Sequence, residues 1–396
     1  MNNIQTEKFI NDNLDNDLKK LLLIKRSNKA IDYEFAYRQI AGFQRIKNKI
    51  PVLYSTKSIL FPPQLNLEQS SSESTALYKK SLCEGNTLID ITGGFGIDLY
   101  FISKHFENAI YVERNEELCK IVAHNFRILG VTNVSIIHAD AEEFIESMPA
   151  SNCVFVDPSR RDKTGGKTVF LEDCEPNICQ LNEKILEKTK LLMVKLSPML
   201  DITAAINALS NVHEVHIISV ENECKEVLLL LKPTKATEIK YKAINILKDN
   251  RLEKFEFIKE AEQDVVLNFS AKIENYLYEP NSSILKAGAF KSIANKFFLN
   301  KLNKNTHLYT SENYVSEFPG RCFKVVKVWG VNKKELTELK KQVPKANIST
   351  RNFPLKPDEL KKKTGISDGG NTYLFGCTLA DETKVIVQCE KITSEA

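Results

Sequence analysis

The chain has 396 residues, of which 42% are hydrophobic and 27% are charged, and its net charge at pH 7 is +4. This composition is ordinary for a globular chain of about two to four domains, and it excludes collagen-like, coiled-coil and disordered proteins. No apolar run approaches the roughly 18 residues that a membrane helix needs, and the N-terminus lacks the features of a signal peptide. The nine cysteines are scattered without a C-x-x-C pair, so we expect free thiols in the cytoplasm and no metal site.

Residues 1–80 are predicted to be helical. Apolar residues recur at helical spacing over 18–24 and again over 36–43. Ser70 is followed three residues later by Glu73, which is the pattern of a capping box and predicts the start of a further helix.

From residue 81 onward, short apolar strands alternate with helices. The predicted strands are 87–91, 108–112, 133–137, 152–156 and 191–196. Such alternation predicts a parallel sheet with helices on both faces. Two strands without a helix between them, 213–220 and 226–231, end the series. The fold class is therefore α/β, with a doubly wound, Rossmann-like parallel sheet that terminates in an antiparallel hairpin.

The rest of the chain predicts smaller α+β modules. A hairpin is expected over 240–246 and 254–258. Beyond it the predicted elements are a helix near 285–299, a strand over 323–329, a helix over 333–341, a strand over 346–350, a helix over 357–363 and a hairpin of 372–379 with 384–391. We accordingly divide the chain at 1–80, 81–275, 276–322 and 323–396.

The C-terminal third is strongly basic. Residues 286–363 contain 18 Lys and Arg but only 6 Asp and Glu, a net charge of +12, which leaves −8 for the rest of the chain. Such an asymmetry favours a polyanionic partner such as RNA. Lysine-rich helix faces that only contact solvent would give the same count, and charge alone does not separate the two interpretations.

A glycine-rich loop follows the first predicted strand. The sequence runs Thr92-Gly93-Gly94-Phe95-Gly96-Ile97-Asp98, from a strand into a helix. Glycines let the backbone approach a ligand closely, and the helix N-terminus offers free N–H groups. The dinucleotide pattern G-x-G-x-x-G is absent because Leu99 occupies the third glycine position. Acids flank the loop at Asp90 and Asp98, which suits a cationic or amino-acid ligand better than a diphosphate.

Acids also follow the second and third strands. Glu113 is placed to accept hydrogen bonds from ribose hydroxyls, and Asp140 could accept one from an adenine amino group. One such acid alone is usually a helix cap, but three in register with a glycine loop favour S-adenosylmethionine. The predicted cofactor contacts are Asp90, Thr92, Gly93, Gly94, Gly96, Asp98, Glu113, Arg114, Asp140 and Ala141.

The fourth strand ends in Asp157-Pro158-Ser159-Arg160-Arg161. The proline stiffens this turn, so Asp157 can be held near the reacting group, although a helix-capping Asp is the alternative. The arginine pair favours phosphate contact, because guanidinium groups bind phosphate bidentately. Asp157, Pro158 and Arg160 are the candidate catalytic residues.

Together with further sequence blocks, these motifs resemble a known family. The blocks are 67–73, 171–176, 195–201, 222–226, 285–290, 351–355 and 368–370. They resemble the class I S-adenosylmethionine-dependent methyltransferases with a ferredoxin-like segment and a C-terminal THUMP-like domain, as found in Bacteroidetes. The resemblance implies a methyltransferase domain over 81–275, a ferredoxin-like segment over 276–322, a THUMP-like domain over 323–396 and an RNA partner. The candidate substrate contacts are Gln69, Arg161, Lys195 and Arg351. Ser159 departs mildly from the Ala or Pro that is common there.

The target atom is predicted to be a base nitrogen or an amine in structured RNA, with Asp157 as the hydrogen-bond acceptor. Methylation of a pyrimidine carbon normally needs a cysteine nucleophile, and Ser197 precedes Pro198 where one such family has it. Two alternatives stay open at this point. The chain could be an inactive RNA-binding protein with a methyltransferase fold, or it could methylate a protein or a small molecule.

Overall fold

A computed structural model of the protein describes residues 4–23, 28–62, 67, 70–160 and 171–392, with the backbone alone at Arg160. The chain divides into two compact units. Unit 1 consists of Met1–His213 with Val227–Thr237, and unit 2 of Glu214–Glu226 with Glu238–Ala396. No helix among the described residues is long and apolar enough to cross a membrane.

Unit 1 begins with helices, as predicted. Their bounds are α1 Ile4–Asp12, α2 Leu18–Leu22, α3 Tyr33–Ile46, α4 Pro51–Tyr54 and α5 Glu73–Lys80. The first three helices share a small apolar core formed by Ile10, Leu21, Ala36, Tyr37 and Ile40. The apolar spacing that predicted the helices is therefore the spacing that builds this core.

The predicted capping box is wrong in its cap residue. Ser72 caps α5, and its hydroxyl accepts a hydrogen bond from the Thr75 N–H at 3.2 Å. Ser70 instead donates to the carbonyl of Leu67. Glu73 is the first residue of the helix, where it cannot fold back as a capping box requires, and it accepts from the Val52 N–H.

The sheet of unit 1 confirms the predicted fold class. Its strands are β1 Gly85–Asp90, β2 Phe106–Glu113, β3 Val134–His138, β4 Ser151–Val156, β7 Thr189–Leu196 and, from Val227 on, β9 Glu223–Leu231. The order across the sheet is β9-β7-β4-β1-β2-β3. Strands β1 to β4 and β7 pair in parallel, and β9 lies antiparallel to β7.

Helices and a short ribbon connect these strands. The elements are α6 Ile97–Ile102, α7 Glu116–Ile128, α8 Ala141–Ser147, the two-residue strands β5 Ser159–Arg160 and β6 Cys174–Glu175, α9 Ile178–Leu186 and α10 Ile202–Asn207. The terminal hairpin joins β8 Val212–Val220 to β9 through Glu221 and Asn222, whose φ values are 48° and 66°. Positive φ at both positions is what a type I′ turn requires, and this turn matches the twist of the two strands.

Unit 2 contains the predicted second hairpin and a separate sheet. β10 Lys240–Ile246 pairs antiparallel with β11 Leu252–Ile258 and in parallel with β8. The separate sheet has the order β13-β14-β12-β15-β18-β17-β16. Its strands are β12 Tyr276–Pro280, β13 Asn300–Lys301, β14 Tyr309–Ser311, β15 Gly320–Gly330, β16 Lys345–Arg351, β17 Ser367–Thr378 and β18 Lys384–Lys391.

The helices of unit 2 are α11 Lys259–Asp264, α12 Ser282–Ala287, α13 Ser292–Lys296, α14 Lys333–Gln342 and α15 Pro357–Thr364. The single helix predicted near 285–299 is wrong, because α12 ends at Gly288, which adopts a left-handed φ of 72°. The sequence analysis also missed β12, β13 and β14, which are short and lie beside this segment.

Candidate functional site

The carboxyl ends of the parallel strands of unit 1 bring the predicted acids to one edge of the sheet. Asp90 ends β1, Glu113 ends β2 and Asp157 follows β4. β1 lies between β2 and β4, so the three carboxylates come from neighbouring strands. In open α/β sheets this edge is where ligands bind.

The glycine loop between β1 and α6 is held close against β2. A Cβ atom on Gly93 would lie 2.2 Å from a ring carbon of Tyr111, so only glycine fits there without movement. Gly94 adopts a left-handed φ of 53°, and its carbonyl accepts a hydrogen bond from the Tyr111 hydroxyl at 2.7 Å. Gly96 is the N-cap residue of α6. The loop conformation therefore depends on its glycines, and a close approach to a ligand stays a prediction.

Glu113 fixes the loop through its side chain. One carboxylate oxygen accepts from the Gly94 N–H at 2.9 Å, and the other accepts from the Asn115 N–H at 2.9 Å. A carboxylate has about four lone-pair positions, so two bonds leave the group able to accept more. Glu113 thus lies at the glycine loop as predicted and retains acceptor capacity.

Asp90 is almost completely buried, with 2% of its surface exposed. Its carboxylate accepts from the N–H and the hydroxyl of Thr92 at 3.0 and 3.4 Å. Burial raises the pKa of Asp90 to about 8, and repulsion from Asp98, Asp157 and Glu113 adds to the rise. Within the described ranges, no lysine or arginine forms an ion pair with Asp90. The site therefore holds a buried acid whose charged form needs a cation.

Three other predicted cofactor residues have partners within the protein. The guanidinium of Arg114 pairs with Glu175 at 3.1 Å. Asp140 caps α8 by accepting from the Glu142 N–H at 2.8 Å, and Ala141 is the first residue of that helix. The helix-cap role weighed for such acids is thus present at Asp140, and any contact of these residues with a cofactor stays a prediction.

Asp98 lies in the first turn of α6 and belongs to a buried ionic cluster. Its carboxylate lies 3.0 Å from the ammonium of Lys79 and 3.5 Å from that of Lys195, and it accepts from the Ser71 hydroxyl at 2.7 Å. Burial alone would raise the pKa of Asp98, but the two ammonium groups and the serine outweigh it and lower the pKa. Asp98 and Asp90 thus flank one loop in opposite electrostatic environments.

Ser71 lies at the centre of this cluster. Besides donating to Asp98, its hydroxyl accepts from Lys79 at 3.1 Å and from Lys195 at 3.2 Å. Sequence analysis missed the roles of Ser71 and Lys79. Ser71 lies in a block that carried the family resemblance, which was its only signal, and Lys79-Lys80 at the end of a helix resembles a solvated lysine pair.

Asp157 is anchored through both its backbone and its side chain. Its N–H donates to the Thr92 hydroxyl at 2.7 Å, and its carboxylate lies 2.5 Å from the ammonium of Lys195. The side chain is 35% exposed, so one side of the carboxylate remains accessible. Desolvation by the surrounding protein raises the pKa of Asp157, and the charge of Lys195 opposes the rise. Pro158 follows and is buried.

The structure brings Lys195 and Asp157 together, but it does not do so for every predicted site residue. The backbone of Arg160 pairs with Cys174 in the short ribbon. Gln69 and Arg161 lie outside the described residues. Arg351 belongs to unit 2, where its guanidinium bonds to the buried Glu279 at 2.8 Å.

This edge of unit 1 combines a tightly turned glycine loop with three acids of different character. Glu113 has spare acceptor capacity, Asp90 is buried without a cation among the described residues, and Asp157 is anchored and partly exposed. The described residues contain no group of three or more His, Cys, Asp or Glu side chains that could hold a metal ion. The side chains of Cys153 and Cys174 are buried.

Two protein-family models match the C-terminal part of the chain. One describes a ferredoxin-like domain and matches residues 276–319, and the other is THUMP domain-like and matches residues 320–391. The crystal structure of a "putative methyltransferase from Porphyromonas gingivalis W83" matches with 33% sequence identity and a TM-score of 0.88. That match covers 98% of each chain.

Two shorter matches are an rRNA methylase from Streptococcus thermophilus and TrmK from M. capricolum with S-adenosylhomocysteine. They are 14% and 12% identical, each covers 41% of this chain, and the matches span 95% and 69% of their own lengths. Both have TM-scores of 0.32, which is too low to bear on function. No curated protein is significantly similar to the chain. Because the Porphyromonas match extends over nearly all of both chains, this chain belongs to the class I methyltransferases with a ferredoxin-like and a THUMP-like domain.

Proposed function

We propose that the protein uses S-adenosylmethionine to methylate a base nitrogen or an amine in structured RNA. The observation that supports the cofactor assignment is the Glu113 carboxylate beside the glycine loop, because after accepting from the Gly94 and Asn115 N–H groups it can still accept hydrogen bonds from ribose hydroxyls. When bound, the cofactor supplies an electrophilic methyl group on a sulfonium. We assign the methyltransferase domain to 81–275, the ferredoxin-like segment to 276–322 and the THUMP-like domain to 323–396.

The residues present fit a cationic cofactor. Asp90 is buried without an ion-pair partner among the described side chains, so an ammonium or sulfonium nearby would stabilise its charged form. The glycine loop also leaves room, since a Cβ on Gly94 would have only the Thr92 carbonyl oxygen within 4 Å. Both features support a ligand that combines a positive charge with a ribose.

Asp157 is suited to orient the target nitrogen. Its carboxylate is partly exposed and held by Lys195, so it can accept a hydrogen bond from an N–H of the substrate. That bond would direct the nitrogen lone pair toward the methyl group, and fixed orientation of this kind is a large part of catalysis in bimolecular transfer. Ser197, a weak nucleophile, gives no route to carbon methylation.

The RNA part of the proposal is supported by charge and by the THUMP-like match. The basic segment 286–363 overlaps both family-model matches in unit 2. Within it, α14 and α15 pack against each other and end in exposed lysine pairs, Lys340-Lys341 and Lys362-Lys363. Four like charges on neighbouring helix ends create a local positive potential that attracts phosphate.

Glu113→Ala should weaken S-adenosylmethionine binding by about 1–3 kcal/mol, because the ribose hydroxyls lose a charged acceptor. Isothermal titration calorimetry measures the change. Glu143→Ala is the matched control, since Glu143 is exposed on α8, and it should bind like wild type. Equal affinity in the Glu113 variant and the control would contradict the pocket assignment.

Binding of S-adenosylmethionine should strengthen between about pH 6 and pH 8. The raised pKa of Asp90, about 8, means that its carboxyl is mainly protonated at pH 6. A cationic ligand favours the ionised form, so binding at low pH releases a proton and affinity rises by up to about tenfold per pH unit. Calorimetry in buffers of different ionisation enthalpy measures this proton release. Asp90→Asn should lose the pH dependence, and a flat wild-type profile would exclude this role.

Asp157→Ala should abolish methylation while the melting temperature and cofactor affinity stay near wild type. Lys195 keeps Asp98 and Ser71 as partners in this variant, so the loss of stability should be small. The measurement is mass spectrometry of modified nucleosides from a strain lacking the protein, complemented with wild type or with the variant. We expect one nucleoside to disappear in the deletion strain and to return only with wild type. An unchanged nucleoside profile in the deletion strain would contradict RNA methylation.

Replacing Lys340, Lys341, Lys362 and Lys363 by Gln should weaken RNA binding and reduce its salt dependence. Each lost phosphate contact should lower the log–log salt slope by about 0.7–0.9. Filter binding to bulk tRNA at several salt concentrations measures both quantities. The matched control replaces four exposed lysines of unit 1, Lys8, Lys19, Lys20 and Lys57. If both quadruple variants behave alike, the basic segment is a solvated surface only.

A further inference from the structure

We propose that Lys195 is a positioning residue that keeps the Asp157 carboxylate ionised and oriented as a hydrogen-bond acceptor, and that the Lys79–Asp98 pair holds Lys195 in place. The identity of the accepted group, an N–H of the methylated substrate, rests on the proposed function. The positioning itself does not, because it follows from contacts within unit 1.

Lys195 has no free capacity to bind substrate. An ammonium has three N–H bonds, and three acceptors among the described residues lie within reach of the Lys195 ammonium. These are Asp157 at 2.5 Å, Ser71 at 3.2 Å and Asp98 at 3.5 Å. The Lys195 side chain is 8% exposed, so solvent and substrate reach it poorly. Lys195 was predicted to contact the substrate, whereas these distances favour an indirect role through Asp157.

Contacts among Lys79, Asp98 and Ser71 hold Lys195 in place. The Lys79 side chain is fully buried, and its ammonium lies 3.0 Å from Asp98. Ser71 donates to Asp98 and accepts from both lysines, which uses its one donor and both of its acceptor positions. Lys195 therefore cannot move away from Asp157 without breaking bonds to groups that are themselves held.

The charges of this cluster balance. Lys79 and Lys195 offset Asp98 and Asp157, so the group is neutral as a whole. Of the other charged groups, Asp98 raises the pKa of Asp157 and Lys79 lowers it, whereas Asp90, with a pKa of about 8, repels a charged Asp157 only where Asp90 is itself ionised. Without Lys195, burial and the neighbouring acids would favour a protonated Asp157. A protonated carboxyl can donate a hydrogen bond to a bare ring nitrogen, whereas the ionised form only accepts.

The cluster thereby narrows the class of target atom. An ionised Asp157 selects a nitrogen that carries hydrogen, such as an exocyclic amino group, and disfavours a ring nitrogen that has only a lone pair. The protonation state of Asp157 would thus determine the specificity for the target atom. Lys195 would set that protonation state without contacting the substrate.

The test is a titration of Asp157 in the full-length protein, without RNA or cofactor. Carbon-13 NMR of aspartate-labelled protein follows the Asp157 carboxyl, assigned with Asp157→Asn. In Lys195→Met the titration midpoint should rise by about 1–3 pH units, the usual effect of losing an adjacent opposite charge. Lys195→Arg should restore most of the shift. The control Lys184→Met, which removes a surface ion pair with Glu146, should leave the midpoint unchanged.

A second measurement covers the case in which Lys195→Met does not fold. In wild type, the nitrogen-15 signal of the Lys195 ammonium should change with the same midpoint as the Asp157 carboxyl. Unequal midpoints there, or equal Asp157 midpoints in folded Lys195→Met and wild type, would overturn the proposal. Because neither experiment contains substrate or cofactor, failure of the proposed RNA methylation leaves the result unaffected.

Discussion

The ion pair between Lys195 and Asp157 is the interaction on which the candidate site depends. It joins the end of β7 to the turn after β4, and Asp98 and Lys79 extend it to α6 and α5. Buried charges are costly to desolvate, and they are tolerated only when each has a partner and further hydrogen bonds. Ser71 supplies those bonds here. Removing a fully buried member such as Lys79 typically costs about 3–5 kcal/mol, because the remaining charge is left buried, whereas removal of the partly exposed Asp157 costs less. The helical N-terminal segment therefore contributes to the site, although none of its residues follows a strand of the sheet.

The glycine loop shows how position decides the chemistry of one residue type. Asp90 and Asp98 lie on either side of it, and both are buried. Asp98 has two lysines as partners, and its pKa is lowered. Among the described residues Asp90 accepts only from Thr92, and its pKa is raised. An acid that is paired within the protein stabilises the fold, and an acid without a cation is available to a cationic ligand. Two carboxylates with opposite shifts in one site usually have different roles.

The sequence predicted the fold and part of the site for a physical reason. The alternation of apolar residues along a strand is a local pattern, so β1 to β4, β7 and the antiparallel β9 were predicted to within a few residues. Glu113 follows from these bounds, because it lies at the end of a predicted strand. The partners of Asp98 could not be predicted, because Lys79 and Lys195 lie 19 and 97 residues away in the chain and meet only through packing. The same limit applies to Arg114, whose partner Glu175 lies in a different connection. The N-cap of α5 was predicted at the wrong residue, because Ser70 and Ser72 are both suitable cap residues close to the start of this helix.

In unit 2 the excess positive charge is not all available to a partner. Lys301 is buried, and its ammonium donates to the carbonyls of Asn303, Lys304 and Thr306. Burial lowers the pKa of Lys301 to about 8, so part of its charge is lost near neutral pH. Arg321 and Arg351 both bind the buried Glu279, so their guanidinium groups are oriented by an internal carboxylate. These residues contribute to the net charge of +12 and yet serve the fold. The positive charge that a polyanion could contact is therefore that of exposed lysines such as those of α14 and α15, and it is smaller than the sequence count.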